Sequence, residues 1–524
     1  MPRRYRTSVR KSAIRAHDHP IQRPTGPSPI GVPVSLDRRS LFRAGGALAV
    51  VGGLSTAAAA ASGPAAAEGA GRGPAEDGLP TRNPLVEQRA DPFITRPVDG
   101  MYYLTGSVPE YDRIVVRGAS TLDGLATARE RTVWRRPASG PMGGYIWAPE
   151  LHRIDGKWYI YFAAGDSDQP FRIRTYVLES ANADPRESGW VLRGQMVTAW
   201  DTFTLDATTF EHRGKRYFLW AQSEPGINTN SNLYIAEMAS PLALRTAPVR
   251  IAQPTLSWEV QGFRVNEGPA VLIRNGRVFV TFSASATDAR YCMGLLTADE
   301  NADLLDARSW TKTPTPVFTT NDATRQYGPG HNSFTTVGDR DVLVYHARDY
   351  RDITGDPLFD PNRHTRVQRL YWNDDGTPAF GVPVGKGGPA VRLSPVDSPH
   401  LVVRHFEYRL RVDGNVRELA DSQFRIVDGF LGAGTAAVQS VNFPDRYARV
   451  DGTSLRVDPY EDGDAYGRLA SFVRVEGLAD RDAVSLRLSA DPSAYVAHDG
   501  SGRLVVTKPG NDRRARERAT FRLA

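Results

Sequence analysis

Between Ala90 and Trp372 the chain repeats one pattern of apolar and polar positions five times. Each copy contains a short apolar run, a tight turn rich in Gly, Asp or Asn, and a second apolar or aromatic run. Short apolar runs bounded by such turns predict β-strands joined as hairpins. The five turns are Asp99-Gly100, Asp155-Gly156, Arg213-Gly214, Asn275-Gly276 and Gly338-Asp339.

An ionisable residue stands at the head of the strand that precedes each turn. Successive members of this set are 59, 56, 61 and 64 positions apart, a period that fits four-stranded propeller blades with long loops. Because propeller blades are arranged radially, we expect the five residues to converge on one axis, where crowded like charges favour acid and base chemistry. The residues are Asp91, Glu150, Asp206, Glu267 and His331.

Composition indicates an all-β chain with two folded parts. The 524 residues include 48 Gly and 37 Pro, and almost no long stretch has the 3.6-residue period of a helix. Beyond residue 395 a second pattern repeats after 45 and 48 residues, and its copies close on strands containing Phe424, Phe472 and Phe521. The predicted fold is a five-bladed β-propeller over residues 83–395 followed by a β-trefoil over residues 396–524.

The first 82 residues predict a leader and a linker. Arg38-Arg39 precedes an Ala- and Gly-rich apolar run and a small-residue cleavage site near Ala67. This arrangement resembles a bacterial twin-arginine export signal over residues 1–67, which implies a secreted protein. Residues 68–82 predict a flexible linker.

The positive charge of the chain lies in this leader. The whole chain carries +6, and residues 1–67 contribute +8 from ten Lys or Arg against two acids, which leaves −2 for the remainder. Nucleic-acid binding is therefore not expected. No other segment is apolar enough to span a bilayer, so no membrane contact is expected after signal cleavage. The single cysteine, Cys292, lies in an apolar strand pattern that predicts a buried side chain rather than a nucleophile or a zinc ligand.

The residues around the five blade heads resemble the blade-opening motifs of glycoside hydrolase family 43, which contains five-bladed α-L-arabinofuranosidases, arabinanases and β-xylosidases. Each motif alone is weak, but all five occur in the order of the family and at blade spacing. The motifs occupy residues 89–93, 147–152, 205–210, 266–269 and 328–332.

Spacing alone leaves four acids as candidates and does not select among them. The resemblance implies that Asp91 is the general base, Glu267 the general acid, and Asp206 the carboxylate that raises the pKa of Glu267 and orients it. The implied reaction is an inverting hydrolysis, in which one carboxyl group protonates the leaving oxygen while the other activates water. Glu150 is expected to be structural, and Trp147 to pack near the sugar.

Two further residues have two interpretations each. His331 is either a substrate-binding residue on the propeller axis, where the family often places a histidine near a water or a calcium ion, or a hydrogen-bonded core histidine. Arg366 either bonds a sugar hydroxyl or a carboxylate of the site, or is a surface arginine. No cofactor is required by this chemistry, and the family permits a structural calcium ion.

The predicted trefoil resembles the arabinofuranose-binding modules of carbohydrate-binding family 42. The pocket of that family pairs a histidine with an aspartate three residues before the closing phenylalanine, which implies His405 and Asp421 in the first copy. One intact sugar pocket, a lost second pocket and a doubtful third are expected. The same two positions hold Val450 and Leu469 in the second copy, and His498 and Arg518 in the third.

The resulting hypothesis is a secreted, monomeric, exo-acting α-L-arabinofuranosidase. Its expected partner is a plant cell-wall polysaccharide, either α-1,5-linked arabinan or arabinoxylan. A β-xylosidase and an endo-arabinanase of the same family remain open, because loop geometry decides between a closed pocket and an open groove. A non-catalytic arabinan-binding protein is the alternative from another class, although all three expected carboxylates are present.

Overall fold

The structure, a computed structural model, describes residues 78–523. The predicted export signal over residues 1–67 and residues 68–77 of the predicted linker lie outside the described residues. Regular structure in the described part is almost entirely β, with 34 strands and three short α-helices. None of the helices in residues 78–523 is long and apolar enough to cross a membrane.

Five antiparallel sheets follow one another along the chain and form the five blades of the predicted propeller. Blade one contains β1 (Ala90–Ile94), β2 (Tyr102–Ser107), β3 (Arg113–Ala119) and β4 (Arg131–Arg135), with helix α1 (Leu122–Leu125) after β3. Blade two contains β5 (Ile146–Ile154), β6 (Lys157–Ala164), β7 (Arg174–Ser180) and β8 (Val191–Gln195). Blade three contains β9 (Thr204–His212), β10 (Lys215–Gln222), β11 (Asn232–Ser240), β12 (Ala243–Leu244) and β13 (Val249–Ala252).

The last two blades complete the ring. Blade four contains β14 (Asn266–Arg274), β15 (Arg277–Ala284), β16 (Cys292–Asp299) and β17 (Thr311–Lys312). Blade five contains β18 (Tyr327–Val337), β19 (Arg340–Arg348) and β20 (His364–Arg369), and a small hairpin of β21 (Tyr371–Trp372) and β22 (Pro378–Ala379) follows it.

The predicted hairpin turns join the first and second strands of the blades. In blades two, three and four the turn has two residues, and both have positive φ. Two left-handed residues give a turn whose twist matches that of the flanking strands, which is why Asp-Gly and Asn-Gly pairs predict such hairpins. The three turns are Asp155-Gly156, Arg213-Gly214 and Asn275-Gly276.

The first strand of every blade carries a one-residue bulge at the same register position. Two residues on this strand face one residue on the second strand of the blade, so the ladder is interrupted there. Proline, which has no N–H to donate to a ladder, follows the first bulged residue in blades one, two and four. The first bulged residue has φ between 41° and 55° in all five blades, and these residues are Asp91, Ala148, Asp206, Gly268 and His331.

This register corrects the prediction that five ionisable residues occupy one structural position. Asp91, Asp206 and His331 do share the bulge position, but Glu267 lies one residue before it and Glu150 two residues after it. Glu150 is held 3.0 Å from the Nε2 atom of His152. Both residues line a separate cavity of about 410 Å³ that the residues beyond the bulges of all five blades enclose.

The chain closes the propeller by bringing residues before β1 against the outer strand of blade five. Leu85 donates its N–H to the carbonyl of Thr365, and Thr365 donates to the carbonyl of Val86. The buried Asn83 side chain donates to the carbonyl of Val367 at 2.8 Å and accepts from its N–H at 2.9 Å. Leu79, near the end of the predicted linker, is buried in an apolar cluster that also contains Leu85 and Val367.

A single sheet of twelve strands forms the C-terminal domain and closes like a barrel. The phenylalanines predicted to close each repeat, at positions 424, 472 and 521, are fully buried in its core. A short helix precedes each phenylalanine: Leu419–Ser422, α2 (Asp464–Ala470) and α3 (Arg513–Arg518). The strands are β23 (Leu393–Pro395), β24 (Val402–Phe406), β25 (Arg409–Asp413), β26 (Phe424–Asp428), β27 (Ala436–Ser440), β28 (Arg446–Asp451), β29 (Ser454–Pro459), β30 (Phe472–Glu476), β31 (Val484–Leu488), β32 (Tyr495–His498), β33 (Leu504–Thr507) and β34 (Phe521–Leu523).

Asn83→Ala is expected to destabilise the propeller. The substitution leaves the N–H and C=O of Val367 unpaired in a buried position, which lowers the free energy of unfolding by roughly 2–4 kcal/mol. Thermal denaturation followed by circular dichroism measures the fall in melting temperature. The adjacent exposed residue provides the control, because Arg82→Ala changes the stability by less than about 0.5 kcal/mol. Equal melting temperatures for both variants would refute this account of ring closure.

Candidate active site

The bulges of blades one, three and five bring three predicted side chains to the propeller axis. Asp91, Asp206 and His331 are all buried. The Nδ1 atom of His331 lies 3.4 Å from Oδ1 of Asp91 and 3.7 Å from Oδ2 of Asp206. The histidine therefore stands between two carboxyl groups that are far apart in sequence.

Hydrogen bonds between neighbouring blades fix the bulges in place. The N–H of Ala148 donates to Oγ of Ser107, and the N–H of His331 donates to Oγ of Ser283, each at 2.8 Å. The N–H of Asp91 donates to Nδ1 of His346 at 3.1 Å, which joins blade one to blade five. Each acceptor lies on the second strand of the preceding blade, opposite the residue before the bulge.

The surroundings of Asp91 favour its ionised form. Burial by itself raises the pKa of this carboxyl group, but His331, Arg363 and His346 outweigh burial and hold the pKa well below its usual range. Nη1 of Arg363 lies 3.6 Å from Oδ1, and Oγ of Ser107 donates to Oδ2 at 2.5 Å. Asp91 is therefore a carboxylate at any pH near neutrality.

His346 is neutral in this arrangement. Burial lowers its pKa to about 4, although the neighbouring Asp91 acts in the opposite direction. The hydrogen bond that Nδ1 accepts from the backbone of Asp91 assigns the ring proton to Nε2. Its ring stacks on that of Tyr291 with 5.8 Å between centroids.

Glu267 and Asp206 experience the opposite electrostatic environment. Burial raises the pKa of Glu267 to about 7, with the charge of Asp91 adding to this effect and the hydrogen bond from Tyr291 opposing it. Burial and the proximity of Glu267 also raise the pKa of Asp206 well above its usual value. The two carboxyl groups therefore retain a proton between them near neutral pH.

Two hydrogen bonds orient this pair. Oη of Tyr291 donates to Oε1 of Glu267 at 2.8 Å, and the N–H of Gly268 donates to Oδ2 of Asp206 at 3.0 Å. Gly268 has φ of 55°, and a Cβ atom there would lie 3.1 Å from Cγ of His331. Glycine therefore allows the histidine to pack closely against the backbone that binds Asp206.

The arginine beside the carboxylates is Arg363, whereas Arg366 does not join the cluster. Arg366 is fully buried rather than on the surface, and its guanidinium pairs with Asp349. Arg363 lies immediately before β20, and its Nη2 donates to Oη of Tyr111 at 2.5 Å. The sequence shows two arginines three positions apart, and only the register of blade five distinguishes them.

Trp147 lies next to this cluster, one residue before the bulge of blade two. Its ring stacks on Tyr145 with 5.4 Å between centroids and an interplanar angle of 11°, and it meets the edge of Tyr111 at 6.0 Å. Tyr111, Tyr291, His346 and Arg363 escaped the sequence analysis. They belong to loops or second strands, so no blade-head motif marks them.

The first repeat of the C-terminal domain brings its two predicted residues together. Nε2 of His405 lies 3.0 Å from Oδ1 of Asn442 and 3.6 Å from Oδ1 of Asp421. Nδ2 of Asn442 donates to Asp421 at 2.9 Å, and Arg404 pairs with the other oxygen at the same distance. The result is a compact polar cluster at the expected position.

The third repeat also contains a carboxylate, which the sequence analysis missed. Nε2 of His498 lies 2.8 Å from Oδ1 of Asp397, and Nε of Arg518 lies 3.6 Å from its Oδ2. The residue before Asp397, Val396, donates its N–H to the carbonyl of Thr520, which immediately precedes Phe521. The residue before Asn442 donates in the same way to the carbonyl of the residue that precedes Phe424. Asp397 therefore occupies the position of Asn442, in the turn that follows β23 and precedes the first repeat in sequence.

Metal and thiol chemistry receive no support from the described side chains. No group of three or more His, Cys, Asp or Glu that could hold a metal ion occurs in residues 78–523. Cys292 is buried, as predicted, and burial raises the pKa of its thiol to about 12.

Comparison with curated proteins gives extensive similarity to named arabinofuranosidases. The extracellular exo-alpha-(1->5)-L-arabinofuranosidase of Streptomyces avermitilis is 52% identical over 409 residues, which are 78% of this chain and 85% of that protein. Alpha-L-arabinofuranosidase 43 of Humicola insolens is 50% identical over 441 residues, which are 81% of this chain and 91% of that protein.

Solved structures and family descriptions agree with this similarity. The crystal structure of alpha-L-arabinofuranosidase from Lactobacillus brevis is 55% identical with a TM-score of 0.57, and the match covers 59% of this chain and 99% of that one. The family model for the "Alpha-L-arabinofuranosidase B (ABFB) domain" matches residues 415–523, and the model for "Glycosyl hydrolases family 43" matches residues 81–378. The five-bladed propeller is thereby confirmed, and the chain belongs to glycosyl hydrolases family 43.

Proposed function

We propose that this glycoside hydrolase is an exo-acting, inverting α-L-arabinofuranosidase that releases terminal arabinofuranose from α-1,5-linked arabinan or from arabinoxylan. The opposed states of its carboxyl groups support this proposal most directly, since Asp91 is ionised while Glu267 has a pKa of about 7. The names of the Streptomyces avermitilis and Humicola insolens relatives support the sugar that is released.

The reaction follows from these two states. Asp91 takes a proton from a water molecule, whose oxygen attacks the anomeric carbon of the terminal sugar. The bond between that carbon and the glycosidic oxygen breaks, and the leaving oxygen takes the proton of Glu267. Asp206 lies beside Glu267 and keeps the proton on the pair, because two adjacent carboxylates repel each other. Free arabinose and the shortened chain are the products.

Three other residues bind and orient in this proposal. His331 stands between Asp91 and Asp206 and limits the space for the sugar on the axis. Arg363, rather than the Arg366 of the sequence analysis, is the cation beside a catalytic carboxylate, and it helps to keep Asp91 ionised. Trp147 forms part of the wall beside Tyr111.

We also propose that the C-terminal domain is a β-trefoil with sugar pockets in its first and third repeats. Twelve strands, three buried closing phenylalanines and three preceding helices support the trefoil. His405 and Asp421 define the first pocket, and His498 and Asp397 the third. The second repeat has Val450 and Leu469 at these positions, which offer no polar group to a sugar.

Secretion by the twin-arginine route and a monomeric state complete the proposal. Secretion is supported by the leader at residues 1–67 and by the name of the Streptomyces avermitilis relative, which describes that protein as extracellular.

Incubation with debranched arabinan and with arabinoxylan tests the reaction. We expect arabinose as the sole early product, and a rate about 10²- to 10⁴-fold lower for Glu267→Gln, which cannot donate a proton. The protein from residue 68 onward is incubated with each polymer, and the released sugars are measured by chromatography. Oligosaccharides would instead indicate an endo-acting enzyme, xylose a β-xylosidase, and binding without any product a non-catalytic protein.

The pH dependence of kcat should follow the fraction of Glu267 that carries a proton. Activity falls as the pH rises through about 7, because the acid loses its proton, while the low pKa of Asp91 imposes no acidic limit in the ordinary range.

Tyr291→Phe is expected to move this alkaline limit to higher pH and to lower kcat by about two- to tenfold, because the lost hydrogen bond stabilises the ionised form of Glu267 and orients it. Tyr161→Phe is the matched control, since the hydroxyl of Tyr161 bonds a backbone carbonyl of blade three. An unchanged pH profile in Tyr291→Phe would contradict the assigned role.

Binding to insoluble arabinan tests the two proposed pockets in the Glu267→Gln background. We expect His405→Ala and Asp397→Ala each to weaken binding by about tenfold or more, and the double variant to abolish it, because two linked pockets bind a polymer with avidity. Depletion isotherms measure the affinity. Leu469→Ala, at the corresponding position of the second repeat, should bind as the parent does. If Asp397→Ala bound arabinan as tightly as the parent, the proposed pocket of the third repeat would be refuted and only the first pocket would remain.

A further inference from the structure

Five aromatic side chains in mutual contact form a surface beside the catalytic carboxylates, here called the aromatic rim. The ring of Tyr145 lies 5.4 Å from Trp147, 5.5 Å from Phe171 and 5.8 Å from Phe359, measured between centroids. Tyr111 contacts Phe359 at 6.4 Å. Trp147 lies on β5 and the other four rings lie in loops of blades one, two and five, so only the assembled propeller brings them together.

Two members of the rim are unusually exposed. Phe171 is 58% exposed and Phe359 is 52% exposed, whereas Tyr111 and Trp147 beneath them are buried. Exposing large apolar rings is unfavourable in water, and clustered exposed rings commonly mark a binding surface. The buried members give these two rings a packed base.

The rim is connected directly to the catalytic centre. Oη of Tyr111 accepts a hydrogen bond from Nη2 of Arg363 at 2.5 Å, and Nη1 of the same arginine lies 3.6 Å from Asp91. Tyr111 also donates to the carbonyl of Leu358, which holds the loop that carries Phe359. A polysaccharide substrate that extends from the propeller axis on this side therefore passes over the aromatic rim.

A second observation indicates that the rim contacts a polar ligand. Trp147 is 9% exposed, and its buried Nε1 donor has no hydrogen-bond partner among the described residues. An unpaired buried donor is costly, and a ligand oxygen would satisfy it. Flat apolar rings beside a single unpaired donor suit the face and a hydroxyl of a neutral sugar ring.

We propose that the aromatic rim binds the sugar residue on the leaving-group side of the scissile bond, the one next to the terminal arabinofuranose. This inference rests on the proposed function, and it names Phe171 and Phe359 as specificity-determining residues. Stacking on the rim favours substrates in which a second sugar ring follows the bond that is cleaved. In this proposal the two exposed rings, Phe171 and Phe359, contact only the second sugar, so substrates with small leaving groups gain nothing from them.

Two substrates with different leaving groups test the proposal. We expect Phe171→Ala and Phe359→Ala each to lower kcat/KM for α-1,5-arabinotriose by roughly tenfold and to leave kcat/KM for methyl α-L-arabinofuranoside unchanged. Phe171→Tyr should keep the parental rates, because it retains the aromatic face. Phe406→Ala, which removes a comparably exposed ring of the C-terminal domain, is the matched control and should change neither rate.

Several outcomes would overturn the inference. Equal losses on both substrates would place the two rings at the reacting sugar, and parental rates on both would show that the rim does not bind substrate. A changed elution volume in size-exclusion chromatography, with unchanged rates, would assign the rim to contact with a second copy of the chain. Failure of the parent enzyme to release arabinose from either substrate would instead refute the proposed function on which the inference rests.

Discussion

The site depends on one backbone feature, the bulge with a left-handed first residue in the inner strand of each blade. Side chains of a regular strand alternate between its two faces, so a residue that breaks the ladder can turn its side chain toward the propeller axis. Non-glycine residues with positive φ are strained, and hydrogen bonds between neighbouring blades hold those of Asp91 and His331 in place. Stability of the ring and geometry of the site therefore have the same origin.

Electrostatic asymmetry follows from where each carboxyl group lies on that frame. Asp91 is surrounded by His331, Arg363 and a serine hydroxyl, whereas Glu267 and Asp206 face each other with few positive neighbours. Burial penalises the charge of all three groups, but the neighbouring groups outweigh burial only at Asp91. An ionised base and a protonated acid can thus coexist in one site near neutral pH.

The C-terminal domain shows how a repeat can keep a chemical group while changing its position. The first repeat pairs a histidine with Asn442 and Asp421, and the third pairs His498 with Asp397, which occupies the position of Asn442. Arginine stands near the carboxylate in both, as Arg404 or as Arg518. Comparison of the sequence copies alone suggests that the third repeat lost its acid, because the turn after β23 supplies it from before the first copy.

The sequence by itself determined the strands and the hairpin turns, because these depend on local patterns of a few residues, and the recurrence of those patterns determined the two repeat lengths. It also placed Asp91, Asp206, Glu267, Trp147 and His331 in one region. Only the tertiary structure decided that Glu150 faces another cavity, that Arg363 rather than Arg366 contacts Asp91, and that Tyr291 orients Glu267. A shift of one residue at a bulge changes the direction of a side chain, and a pKa depends on neighbours from other blades, so neither can be read from local sequence.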